Sequence, residues 1–202
     1  MMRLALLALA LAGAGEASAE VQSTGVSHTG ERYHVSVTSY VPAPPRRVMA
    51  LLTDYEGFER LHPMVRDSRL IGHEAGGARV RTTYRDCPIV IYCVEFSHTS
   101  LFTRVSEGLL VAQADPTASD FAYGRFEWTV LPEGDGTRLT FLSEVEPEFW
   151  VPPVIGGWVL RHRLTQVAED IHETIKALAM KGELPTEHLS AQGEDTAYAP
   201  GR

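Results

Sequence analysis

The chain has 202 residues, 44% of them hydrophobic and 22% charged, and its 18 lysines and arginines against 26 aspartates and glutamates give a formal net charge of -8. An acidic chain gains nothing from releasing counterions on a phosphate backbone and is repelled by anionic lipid, which argues against nucleic-acid binding and polybasic membrane docking. The length and the ordinary apolar content point to one domain with a substantial core.

The N-terminus reads as a leader. Arg3 precedes an apolar run from Leu4 to Ala12, and Ala17-Ser18-Ala19 supplies small residues at the cleavage-recognition positions, so residues 1–19 are predicted to be a signal peptide cut after Ala19. The run is far below the ~20 apolar residues of a bilayer-spanning helix. No cysteine follows the cleavage site to take a lipid anchor, so the mature chain is expected to be soluble, secreted across the inner membrane and periplasmic. Loss of Arg3 and Glu16 leaves the net charge unchanged. Residues 20–31 are read as an N-terminal extension.

The first strand is expected from Tyr33 to Val41, where Val35, Val37 and Val41 fall on one face and His34, Ser36 and Thr38 on the other. Pro42 ends it, and Pro44-Pro45 open a short helix whose buried stripe is Val48, Met49, Leu51 and Leu52. Asp54 looks like the N-cap of a second short helix that presents Tyr55, Phe58 and Leu61 before Pro63 stops it. Seven alternating segments follow: Met64 to Gly72, Ala78 to Arg85, Ile89 to Ser97, Leu101 to Val105, Leu109 to Ala114, Phe121 to Leu131 and Thr137 to Val145. Gly76-Gly77 and Gly134-Asp135-Gly136 read as tight reversals within a meander of hairpins. From about Ile155 the period becomes helical, with Leu160, Leu164, Val167, Ile171, Ile175 and Leu178 as one apolar stripe and Arg163, Gln166, Asp170, Glu173 and Lys176 on the wet side. Gly182 is a stop signal, and residues 182–202 read as a solvated, disordered tail.

The expected fold class is therefore α+β: a curved antiparallel sheet of about six or seven strands wrapped around a long C-terminal helix, with two short helices after the first strand. A twisted sheet closed over one helix leaves a gap wherever side chains are too few to fill it, and such gaps bind apolar ligands. This order resembles the helix-grip fold of the START and polyketide cyclase superfamily (SRPBCC), which includes the coenzyme Q-binding and birch pollen allergen families. Leu52-Thr53-Asp54-Tyr55, Asp120-Phe121-Ala122-Tyr123-Gly124-Arg125, Gly136-Thr137-Arg138-Leu139 and Phe149-Trp150-Val151-Pro152-Pro153 with Gly156 look like an exported bacterial branch of it. The resemblance covers a domain of residues 32–181 and implies hydrophobic-ligand binding, lipid handling or aromatic cyclisation.

The candidate ligand-binding residues are Tyr55, Phe58, Tyr84, Tyr92, Phe96, Arg125, Trp128, Phe141, Phe149, Trp150, Trp158, Arg161 and Leu164. Phe149 and Trp150, held between the last strand and the helix by Pro152-Pro153, either plug the end of the sheet or line the cavity. Arg125 and Arg161 either pair with a polar head group or are solvated surface. The rival class is a cyclase or dehydratase-like enzyme in which Tyr84, Tyr92 or His98 moves a proton. A third reading is an interaction module with a filled core.

Cys87 and Cys93 are the only cysteines. Six steps of a straight strand span roughly 20 Å, whereas a disulfide needs Cα atoms within about 7 Å. Pro88 permits a reversal and Ile89-Val90-Ile91 favours extension, so bridged and free states both stand open. If the chain turns there, Ile89 to Tyr92 form an apolar tip able to make transient membrane contact while loading ligand. The histidines have no metal-ligand spacing, and His172-Glu173 lacks the second histidine of a zinc-protease helix. No nucleophile elbow or phosphate loop appears, and neither metal nor cofactor is expected. The expected partner is a hydrophobic small molecule or lipid.

Overall fold

A computed structural model describes residues 21–74, 76–89, 92–148 and 156–181; for Val21, Pro88, Ile89, Tyr92, residues 156–161 and Leu164 it describes the backbone alone. The proposed cleavage site, the aromatic pair Phe149 and Trp150, and the C-terminal tail lie outside the described residues.

Eight antiparallel strands form one sheet: β1 (Val21–Thr29), β2 (Arg32–Val41), β3 (Val65–Glu74), β4 (Gly77–Ile89), β5 (Tyr92–Ser106), β6 (Leu109–Ala114), β7 (Phe121–Glu133) and β8 (Gly136–Pro147). Their order is β1-β2-β8-β7-β6-β5-β4-β3, so the chain crosses from β2 to the opposite edge through α1 (Pro45–Leu52) and a 3-10 helix, Tyr55–Arg60. The long helix α2 (Gly156–Lys181) packs against β1, β2 and α1 on the sheet's inner side.

The strand count corrects the expected six or seven. Residues 21–29, within the stretch read as an extension, pair along β2 from Thr29↔Arg32 to Val21↔Ser39, and the two short helices accordingly follow the second strand. Ser-, Thr- and Gly-rich β1 lacks a run of apolar alternation, and pairing with β2 supplies what its own side chains do not signal. The segments Ile89 to Ser97 and Leu101 to Val105 belong to one strand, β5. His98-Thr99-Ser100, left between those two segments, is strand interior. Its outer backbone groups are met by the β6–β7 connection: Asp120 N–H donates to the Ser97 carbonyl at 2.8 Å and Asp115 N–H to the Thr99 carbonyl at 2.8 Å.

Where apolar alternation is unbroken, the reading matches the structure closely. Val35, Val37 and Val41 are buried on one face of β2, whose register places Val37 opposite Phe141 and Val41 opposite Thr137 in β8. Gly134 turns β7 into β8 at φ 59°, and Gly76 turns β3 into β4 at φ 92°, conformations that cost glycine nothing. Gly77 must also stay small, since a Cβ there would sit 2.2 Å from the Phe102 carbonyl oxygen.

The core gathers at one end of the inner face, where Val48, Met49, Leu51 and Leu52 of α1 meet Val80, Leu110, Val130 and Leu139 of the sheet and Ile175 and Ala179 of α2. Each large side chain fully buried there contributes about 1.5–3 kcal/mol. Among the described side chains of α2, Ala168, His172, Ile175 and Ala179 are buried, while Val167, Ile171 and Leu178 of the expected stripe are half-buried. The buried line thus includes two alanines, Ala168 against Val35 and Val37 of β2 and Ala179 in the core beside α1, while Ile171 and Leu178 pack at the core's edge. Arg163, assigned to the wet side, is half-buried instead and bridges to the sheet.

Candidate functional site

Strand pleat decides which side chains share the concavity. On the inner face β4 presents Ala78, Val80, Thr82 and Tyr84; β5 presents Phe96, His98, Ser100 and Phe102; β7 presents Phe126, Trp128 and Val130; and β8 presents Leu139, Phe141 and Ser143. The register Tyr84↔Phe96 and Thr82↔His98 aligns the first two sets, and Trp128↔Phe141 aligns the last two.

The rings make a continuous floor. Tyr84 stacks on Phe96 with centroids 5.0 Å apart and on His98 at 5.4 Å. His98 stacks on Phe126 at 5.2 Å, and Phe121 closes on Phe96 at 5.7 Å. Phe126 leads to Trp128 at 6.4 Å, and Trp128 touches Phe141 at 5.2 Å and Phe102 at 5.8 Å. Tyr55 and Phe58 complete the series against Phe102, at 5.0 and 5.9 Å. Each such contact adds about 0.5–1.5 kcal/mol beyond area burial. Phe96, Phe126, Trp128 and Phe141 remain only half-buried among the described residues.

A polar chain is set into this floor. The Tyr84 hydroxyl lies 3.0 Å from His98 Nε2, and His98 Nδ1 lies 2.8 Å from Ser100 Oγ. Burial holds the His98 imidazole down at about 4, and the same desolvation pushes the Tyr84 phenol far above its ordinary range. Both are neutral near pH 7. A neutral imidazole carries one N–H, so either Tyr84 donates to Nε2 and Nδ1–H to Ser100, or Ser100 donates to Nδ1 and Nε2–H to Tyr84. The Tyr84 phenol also hydrogen-bonds the Thr82 side chain. Beside it the Ser68 hydroxyl donates to the Tyr55 carbonyl at 2.6 Å and approaches Thr82 Oγ1 at 3.4 Å.

At the β4 end the Arg163 guanidinium of α2 grips both carboxylate oxygens of Asp86, Nε to Oδ2 at 2.9 Å and a terminal nitrogen to Oδ1 at 2.7 Å. This pair stands at a surface concavity of about 640 Å³ between the β3 edge and α2, with Met64, Arg66 and Arg85 on its rim. Cys87 and Cys93 are joined by a disulfide, which resolves the open alternative: Ile89 pairs with Tyr92, so the chain reverses between the cysteines. The apex, Val90 and Ile91, and the side chains of Ile89 and Tyr92 lie outside the description, and the lip hypothesis with them.

The structure thus brings Tyr84, Phe96, Trp128 and Phe141 together on the floor and places Tyr55 and Phe58 at its packed end. Arg125 is a correction: as an odd-numbered β7 residue next to Gly124 and Phe126 it emerges on the convex face, where it pairs with Glu127 at 3.2 Å. Trp158, Arg161 and Leu164 lie on α2 with side chains outside the description, as is that of Tyr92. Asp54 stands at the N-cap position but makes no capping hydrogen bond; its carboxylate pairs with Arg60 instead. Sequence reasoning missed Ser100, Phe102 and Phe121 and the central place of His98. Alternation from Phe96 to Phe102 carries that signal once β5 is read as one strand. Among the described residues no group of three or more histidines, cysteines or carboxylates is placed to hold a metal, and no helix is long and apolar enough to cross a membrane.

Comparison with known proteins gives a consistent picture of the architecture. Residues 32–182 match the family described as polyketide cyclase / dehydrase and lipid transport. No curated protein matches the sequence. Among solved structures, a START superfamily protein from Mycobacterium smegmatis is similar at TM-score 0.59 and 16% identity, covering 73% of this chain and 97% of that one. The Zhui aromatase/cyclase from a Streptomyces species gives 0.60 and 15%, covering 74% and 94%. A STAR-related lipid transfer protein from Xanthomonas axonopodis gives 0.58 and 13%, covering 78% and 98%.

Proposed function

We propose, on the premise that the chain belongs to the polyketide cyclase / dehydrase and lipid transport family, that it is an exported carrier of a hydrophobic small molecule or lipid, held between the sheet and α2. The observation that carries this reading is the half-buried aromatic floor running from Tyr84 through Phe126 and Trp128 to Phe141, with one neutral hydrogen-bonding chain set into it. Apolar walls with few polar contacts are what a small-molecule site needs. Export is supported by the leader pattern of residues 1–19 and by the Cys87–Cys93 disulfide, a bond that persists in oxidising compartments.

The Tyr84–His98 contact favours examining the enzymatic alternative, a cyclase or dehydratase-like activity on a hydrophobic substrate. Efficient proton transfer needs a pKa near the working pH. An imidazole held at about 4 is a weak base, and a phenol pushed above its ordinary range is a weak acid, so the pair is better suited to hydrogen bonding than to chemistry. Native mass spectrometry of protein purified from its exterior compartment, with extraction of any retained lipid, tests the carrier reading. Defined adducts released by solvent are the expected result. Protein that carries none, and that takes up no lipid on incubation with extract of its own cells, overturns it.

A further inference from the structure

The concavity of about 640 Å³ between the β3 edge and α2 sorts its charges by wall. Arg66 of β3 and Arg85 of β4 line the sheet side, and Asp170 and Glu173 of α2 line the helix side. Arg163 and Asp86, which also line it, neutralise each other in their bidentate pair. Apart from His62, three arginines thus stand against three carboxylates, so the lining has no net formal charge and is polarised across its width.

The charges outside that pair lack close partners. Elsewhere Arg32, Arg79 and Arg138 bridge carboxylates at 2.8, 2.6 and 2.9 Å. Among the described residues the side chains of Arg66 and Arg85 make no ion pair or hydrogen bond, and Glu95, opposite Arg85 in the β4–β5 register, does not bridge to it. On the helix side, His62 Nε2 stands 3.5 Å from Asp170 Oδ2, longer than an ordinary N–H···O bond. His62 Nδ1 accepts the Met64 N–H at 3.1 Å, which places the ring hydrogen on Nε2, toward Asp170. Glu173 reaches Lys176 only at 3.6 Å, and both carboxylates are mostly in water.

We infer that this concavity is a site for a zwitterionic group in which a short linker joins an ammonium to a phosphate, with the phosphate on Arg66 and Arg85 and the ammonium on Asp170 and Glu173. Guanidinium forks match phosphate oxygens, and an ammonium brings three donors to carboxylates that have acceptors to spare. A bare phosphate would meet Asp170 and Glu173 as like charges, and a bare ammonium would meet Arg66 and Arg85 so. Phosphoethanolamine, free or as a lipid head group, is the simplest group of this kind. The site shares no residue with the aromatic floor, so it goes beyond the carrier reading and does not depend on it.

Calorimetric titration of the purified protein with glycerophosphoethanolamine, sodium phosphate and ethanolamine tests the site. The zwitterion is expected to bind about tenfold more tightly than either ion alone, and Arg66→Gln and Arg85→Gln should each weaken it about five- to tenfold, the worth of a hydrogen bond to a charged group. Asp170→Asn should weaken the zwitterion by a similar factor yet strengthen phosphate, because a like charge has gone; a merely structural role would not produce that reversal. All three side chains are exposed, so unchanged melting temperatures are expected to show that the variants fold. Dihexanoyl phosphatidylethanolamine below its micellar concentration distinguishes the sources. Tighter binding than glycerophosphoethanolamine marks a lipid head group and equal binding a free zwitterion, and either supports the site. A parent that does not bind the zwitterion, or binds phosphate as tightly, overturns the site, as do folded variants that bind the zwitterion as the parent does. None of these outcomes alters whether lipid is retained in native mass spectrometry, so failure of the site and failure of the carrier reading are told apart.

Discussion

His98 and His172 are the residues whose burial has the most direct thermodynamic consequence. Each titrates at about 4 in the folded protein against 6.5 for an unperturbed imidazole, because desolvation penalises the cation. Between those values the unfolded chain binds protons that the folded chain refuses, so stability falls as the solution becomes more acid. The contribution is complete above pH 6.5, declines by about 1.4 kcal/mol per pH unit for each group down to about pH 4, and is exhausted below that. The urea midpoint should therefore be level from pH 8 to 7 and drop steeply from pH 6.5 to 4; a level midpoint across the acid interval would mean that water reaches both rings. His98 also illustrates what a residue owes to its strand. Its partners Tyr84 and Ser100 are recruited by β pairing and pleat, not by adjacency in the chain.

At the scale of elements, the N-terminal half of α2 is tied to the sheet by the Arg163–Asp86 pair, whose side chains are 33% and 13% exposed. Removing Arg163 strands a carboxylate that is mostly out of water, and the remaining exposure of the pair tempers the cost to about 1–3 kcal/mol. Arg163→Met should lower stability by that amount and hasten amide exchange in residues 156–164 more than in residues 171–179. Adding Asp86→Asn in the Arg163→Met background should recover part of the loss, since the orphaned charge is gone. Equal destabilisation of both halves of α2 would show that the pair serves general stability and not the attachment of one segment. The elements also differ in how well their sequences announced them. β2 and α1 carry clean apolar periods, whereas β1 has the polar composition of a loop and β5 carries Ser97-His98-Thr99-Ser100 in its middle.

The whole molecule has two unlike ends. Where α1 and the last turns of α2 meet the sheet, the inner face is packed with fully buried aliphatic side chains. Toward Tyr84, Phe96 and Phe126, half-buried rings and a satisfied polar chain take over. A guest that binds only the folded state adds to stability by mass action, about 2.7 kcal/mol at a hundredfold excess over Kd. Solvent extraction of protein purified from its own compartment should therefore lower the melting temperature, and returning the extract should restore it. No change on extraction and return would indicate that the described aromatics complete a core and hold no guest.

The order of apolar periods, strand-like up to Val145 and helical from about Ile155, determined the fold class without help, because burial of one face imposes a period on each element. Tyr84, Phe96, Trp128 and Phe141, at inward positions of β4, β5, β7 and β8, were legible for the same reason, whereas Phe102 was hidden by the polar stretch in the middle of β5. Tertiary structure alone decided the rest. Pairing with a neighbour made β1 a strand, a reversal beyond Ile89 made a disulfide possible, and pleat sent Arg125 outward while setting Phe126 inward. Packing likewise set the buried side of α2, where Ala168 lies against Val35 and Val37 of β2 and His172 is buried, a choice that no helical period distinguishes from surface.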